Sequence, residues 1–245
     1  MKGRCRKGLS LSTPFVLLGP AHIAAVALTL AVPLSLAALT RRSAAMEPVV
    51  RSGFALLLLG GYAAWYAMFA LRGWLGLGNA LPFNLCDWAA IALVITLFWP
   101  NQFTYDLGYF WGLAGTMHGL LTPPVHHEFP DPEFIFFFVN HGGIIASILF
   151  LTAGSGLRPL PRSVPRAIIA SLIYAAVAGT ADWLLGVNYG LLRAKPDNVS
   201  VLDLLSPWPW YIPQLIAIGI ASVLLYYLPF FLYDLLSARR KGAPA

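Results

Sequence analysis

The chain is short of charge. Lys, Arg, Asp and Glu make up 11% of its 245 residues, less than half of the roughly 25% found in soluble globular proteins. Acids are the scarcer sign, with 10 Asp and Glu against 16 Lys and Arg. So few charges cannot cover a water-soluble domain of this size. Disorder is excluded as well, because hydrophobic residues reach 58% and such a chain buries itself. Cysteine is also scarce. Cys5 lies in a basic tail and Cys86 in an apolar run, which makes no disulfide framework. No soluble linker, low-complexity tract or internal repeat interrupts the chain, so a single domain is expected.

What is abundant is apolar sequence, with a mean hydropathy of +0.71. A spanning helix takes about 20 mostly apolar residues. Seven stretches qualify: Ala21–Leu39, Ser52–Leu71, Leu81–Trp99, Phe103–Leu121, Pro132–Ala153, Val164–Val187 and Pro207–Asp234. The expected fold is therefore all-α, a polytopic membrane protein with a bundle of seven transmembrane helices. Pro100-Asn-Gln102 reads as a tight turn between the third and fourth spans. Basic residues gather at the span ends. Leaving the tail aside, one side carries nine of them, from Arg41 to Lys241, and the other carries Arg72, Arg193 and Lys195. The excess places the C-terminus in the cytosol and the N-terminus outside a cell membrane. Lys2, Arg4, Arg6 and Lys7 in the tail pull the other way. The basic balance is that of a membrane protein and not of a nucleic-acid binder.

Polar residues inside spans carry the functional reading, because an ionisable group in a membrane is costly unless paired or hydrated. With a rise of about 1.5 Å per residue, Cys86 and Asp87 fall near the start of the third span. His118 falls near the end of the fourth, Asn140 and His141 in the first half of the fifth, and Asp182 near the end of the sixth. Seven antiparallel spans bring all of these into one half of the bilayer, away from the basic loops. Each has a plainer reading. A buried cysteine is usually a small hydrophobe. Asp182 would cap a neighbouring helix and Asp87 would bond Asn84. The stripe Gly108, Gly112, Gly115, Gly119 is packing. Trp208-Pro-Trp-Tyr211 is an interfacial belt, and His126 and His127 are exposed loop residues.

Cys86 and His141 form the sharper pair. An imidazole that takes the thiol proton makes a nucleophile, and Asp87 or Asp182 would hold the imidazole in one tautomer. Asn140 would donate to a developing oxyanion. Arg193 and Lys195 would hold a phosphate head group, with His118, Tyr189 and Trp210 completing the substrate surface. The expected partner is a membrane lipid, and the expected reaction is acyl transfer or hydrolysis without a cofactor or metal. A metal-dependent hydrolase is the rival. His118, His126, His127 and His141, with Asp87 or Asp182, would supply three ligands and an open position. A transporter or binding protein is a third reading, although no inverted repeat is visible.

Several motifs recur in order: Leu81-Pro-Phe-Asn-Leu-Cys-Asp87, Tyr109-Phe-Trp-Gly-Leu-Ala-Gly-Thr116, Phe129-Pro-Asp-Pro-Glu-Phe134, Asn140-His-Gly-Gly143, Asn188-Tyr-Gly190, Lys195-Pro196 and Pro207-Trp-Pro-Trp-Tyr211. Together they resemble the YwaF-like family of bacterial integral membrane proteins from about Pro14 to Tyr233. That family is similar, more distantly, to a eukaryotic seven-span acyltransferase acting on ether phospholipids. The resemblance implies a membrane-embedded cysteine at Cys86 working with a histidine at His141.

Overall fold

A computed structural model of the chain describes residues 13–196 and 201–242, with the backbone alone described at 201 and 239–242. Cys5 and the basic tail lie outside the described residues. Helix α1 spans Pro20–Arg42, opening on a proline at its first position, where no N–H is missed. Helix α2 spans Met46–Leu71. A single helical turn, Leu77–Ala80, precedes helix α3, Leu85–Phe98. Helix α4 follows in three pieces. Gln102–Trp111 is α-helical, Gly112–Thr116 is a π segment, and Met117–Leu121 is α-helical again. Helix α5 spans Pro132–Ala153, α6 spans Ser163–Leu185, and α7 spans Tyr211–Gly242.

Among the described residues six helical stretches are each long and apolar enough to cross a membrane, the third being Leu77–Phe98, in which the single turn and α3 run together, so the chain is an all-helical, multi-pass membrane protein. The remaining expected span, the fourth, coincides with α4, whose helix is divided by the π segment. Two boundaries differ from expectation. The seventh stretch starts at Tyr211, because Pro207-Trp-Pro-Trp210 folds as a turn ahead of it. The third starts at Leu85. Pro82 cannot join the helix ladder, and Asn84 stops it from behind: its backbone N–H donates to Asp87 Oδ2 at 3.0 Å, one arm of a capping box. Cys86 and Asp87 therefore sit in the first turn of α3.

Helix α5 is the centre of the bundle. It packs against α1 and α2 along its length, and against α3 and α4. It buries 72% of its apolar stretch, whereas α7 buries 6%. A helix apolar on every side must be wrapped by others; one that shows Leu224, Leu225 and Leu228 outward needs a hydrocarbon solvent. Glycines set the closest approaches. A Cβ at Gly108 would lie 2.6 Å from Leu93 Cγ, and one at Gly112 would lie 2.5 Å from Ile148 Cδ1.

The end bearing Arg41, Arg51 and Arg158 is tied by polar bonds. Arg41 donates to Ala153 O at 3.0 Å, Arg51 pairs with Glu47 at 2.8 Å, and Arg158 pairs with Asp234 at 2.6 Å. This end also holds a group that the one-sided reading overlooked. Asp106 is fully buried in α4 and accepts from Gln102 Nε2 at 2.6 Å. Ionisable groups are therefore not confined to one half of the bundle.

Candidate functional site

The opposite end encloses a cavity of about 650 Å³. Its wall includes Cys86 and Asp87 from α3, Asn140 and His141 from α5, and Tyr62, Trp65, Tyr66 and Phe69 from α2. The loop between α4 and α5 adds Pro124, His126 and His127, and Glu133 closes the ring from the first turn of α5. Four of the five residues expected to do chemistry thus border one space.

His141 is held in a defined pose. Its ring stacks on Phe137 with centroids 4.0 Å apart and planes 15° apart. Its Nδ1 lies 3.2 Å from Phe137 O. A carbonyl only accepts, so Nδ1 carries the proton and Nε2 keeps its lone pair. The backbone thereby sets the tautomer that a carboxylate sets in a hydrolytic triad. Nε2 points past Gly119, where a Cβ would stand 3.4 Å from it and 3.1 Å from Cδ2. One member of the glycine stripe therefore packs directly against a cavity residue.

Cys86 Sγ faces Asp87 Oδ1 at 3.9 Å, and Tyr62 donates to Cys86 O at 3.4 Å. The thiol and the imidazole border the same cavity without a hydrogen bond between them. Being in the first turn, Cys86 sits at the positive end of the α3 dipole. Asp87 turns to the thiol and the Asn84 N–H, so it is not the partner of His141. Asn140 is buried, and its Oδ1 is packed against Gly61 of α2, where a side chain would collide with it.

Asp182, expected as an orienting group, is engaged as a brace. It is absent from the cavity wall, and its Oδ1 accepts from Tyr189 N at 2.5 Å. Tyr189 is a brace too, and lies outside the cavity wall. Its buried hydroxyl donates to Leu77 O and accepts from Leu81 N at 3.1 Å. Tyr174 adds a bond to Phe83 O at 3.0 Å. The Asn188-Tyr-Gly190 motif thus steadies the segment that delivers Cys86. Gly190 is left-handed at φ 59° with the Tyr174 hydroxyl against its Cα, a position open only to glycine.

The other expected substrate contacts also fall elsewhere. Arg193 donates to Asp182 O at 3.2 Å, and Lys195 to Leu205 O at 2.7 Å, so their charges serve the loop after α6. His118 is exposed, with Nδ1 at 3.2 Å from Ala114 O, and Trp210 is 70% exposed. Short-range bonds consumed these polar groups, which sequence position could not show.

Sequence reasoning missed the aromatic wall of α2 and the role of Glu133. The carboxylate of Glu133 is buried, with His126 Nδ1 and His127 Nδ1 each 3.0 Å from one of its oxygens. The signal was present in His-His-Glu followed by Pro-Asp-Pro-Glu, where two prolines hold a short loop rigid.

The model of the TMEM164 family matches residues 16–227. The chain belongs to the TMEM164 family. The match takes in every helix from α1 to α6 and the first half of α7, and so the whole cavity wall of this TMEM164-family protein. No curated protein matches the chain, and no solved structure does.

Proposed function

We propose that this TMEM164-family protein is a membrane-embedded cysteine enzyme that moves acyl groups on membrane lipids. The reading counts α4 as a seventh span, puts the N-terminus outside and the C-terminus in the cytosol, and draws on the motif resemblance to YwaF-like proteins and to the eukaryotic acyltransferase. One observation carries it. Cys86 and an imidazole with a free Nε2 border a cavity walled on one side by the aromatic rings of Tyr62, Trp65, Tyr66 and Phe69.

In the proposed reaction His141 Nε2 takes the proton from Cys86 Sγ. The sulfur attacks the ester carbonyl carbon, and the electron pair of the broken C–O bond leaves with the alkoxide. His141 returns its proton to that oxygen, leaving a thioester on Cys86. Water or a second lipid hydroxyl then gives its proton to His141 and resolves the thioester, which restores the thiol. Catalytic hydrogen bonds often close only in the Michaelis complex, which suits a thiol and imidazole parted by the reacting carbonyl. The Asn140 amide nitrogen, on the same cavity wall, is the donor assigned to the oxyanion.

The test is labelling of membranes with a thiol-reactive lipid ester. Cys86→Ala should abolish labelling, and His141→Ala should slow it by about 10²–10⁴-fold, the usual contribution of a general base. Labelling that survives in Cys86→Ala ends the proposal.

A further inference from the structure

The loop before α5 holds a cluster that acyl transfer does not use. Acids are rare here, yet two of the ten, Asp131 and Glu133, converge with two of the five histidines, His126 and His127. One donor atom from each of His127, Asp131 and Glu133 lies within 4.8 Å of the other two. His126 Nδ1 stands 3.0 Å from the second oxygen of Glu133. Asp131 Oδ1 is engaged by Glu133 N at 2.8 Å and by Arg72 Nη2 at 3.2 Å; its Oδ2 contacts only Arg72, at 3.4 Å.

We infer that His127, Asp131 and Glu133, completed by His126, bind one zinc ion at the edge of the cavity. Zinc takes nitrogen and carboxylate oxygen at about 2.0–2.2 Å in a four-coordinate shell. Two ligands of a tetrahedral zinc stand about 3.4 Å apart, so donors up to 4.8 Å apart reach a shared ion after closing by about 1.4 Å. The donor set is imidazole and carboxylate without sulfur, which suits zinc over the softer copper(I). Two carboxylates offset the dication, and Arg72 keeps the apo cluster from carrying the full negative charge.

The ion is a staple and not a catalyst. The loop it gathers also binds the segment ahead of α1: Phe15 N donates to His126 O at 3.1 Å, and Glu128 N to Thr13 O at 2.8 Å. Zinc would lock that pair of segments to the first turn of α5, fixing the wall across from Cys86. The His126 side chain is 81% exposed, so chelators in bulk water reach the site.

The experiment uses full-length protein in detergent, with any affinity tag removed, equilibrated with zinc and then dialysed. Elemental analysis should find about one zinc per chain, as expected of a closed structural site. The same content is expected in Cys86→Ala, and at least tenfold less in His127→Ala and Glu133→Gln. Chelator should lower the melting temperature of the wild type and leave that of Glu133→Gln unchanged. Cobalt-loaded wild-type protein should show visible d–d bands and no thiolate charge-transfer band, a readout that needs no variant to fold. Zinc-free wild-type protein, zinc retained in Glu133→Gln, or a thiolate band each overturn the proposal. Loss of lipid labelling in Cys86→Ala with zinc retained separates this site from the acyl-transfer site.

Discussion

At the scale of single residues, the site depends on what stands beside each functional atom. His141 has no carboxylate partner. A main-chain carbonyl four residues earlier and a stacked phenyl ring orient it. Gly119 then decides whether Nε2 is reachable. Gly119→Ala would put a methyl carbon 3.1 Å from the ring, and a ring held by stacking has little room to yield. The expected result is a fold that melts near the wild-type temperature, with lipid-probe labelling of Cys86 slowed by about tenfold or more, since small misplacements of a catalytic group are costly. Labelling kinetics check this, and an unchanged rate would show that Nε2 does not work in that direction. His118 and Trp210 make a useful contrast. Both are exposed, outside the cavity, and their alanine variants should label at the wild-type rate.

At the scale of elements, the start of α3 is the feature that places the nucleophile. Proline breaks the chain at Pro82, the Asn84–Asp87 bond opens the helix, and α6 and the loop after it prop the join through Tyr174 and Tyr189. Tyr189→Phe strips a hydroxyl from Leu77 O and Leu81 N, leaving polar backbone groups unpaired at a cost of about 1–3 kcal/mol each. A lower melting temperature is expected, with faster reaction of Cys86 towards a small soluble maleimide as the segment loosens. Asp182→Asn should behave alike through its bond to Tyr189 N. Arg193→Ala should leave lipid labelling unaltered, because its guanidinium serves the α6 C-terminus. A loss of labelling there would restore the head-group role expected from sequence.

At the scale of the whole molecule, α5 threads the middle of the bundle and carries both Glu133 and His141 to the end where α3 begins. The loop 122–131 and the segment at 13–16 meet at that end, and the basic end lies across the bundle. Under the proposed orientation, a C-terminal green fluorescent fusion should fluoresce. A cysteine placed at exposed Thr122, in a Cys5→Ala, Cys86→Ala background, should react with an impermeant maleimide on intact cells. Both signals reversed would invert the topology and move the site to the cytosolic half.

Composition and apolar run length sufficed for a multi-pass helical protein, because hydrocarbon thickness sets the length of a spanning helix. Motif order singled out Cys86, Asn140 and His141, since polar groups stand out against apolar spans. Run length alone did not foresee the π segment in α4 or the late start of α3, which depend on caps and local bonds. It also hid Asp106, which lies two residues after the neutral residue Thr104 in a span that reads as apolar overall. Tertiary structure decided the rest. It turned Asp182, Tyr189, Arg193 and Lys195 into supports, and drew Tyr62, Trp65 and Glu133 to the cavity. The reason is physical: a polar atom's role is set by which partner reaches it first, a loop group close in sequence for Asp182, Arg193 and Lys195 and a distant one, chosen by how the helices pack, for Tyr189.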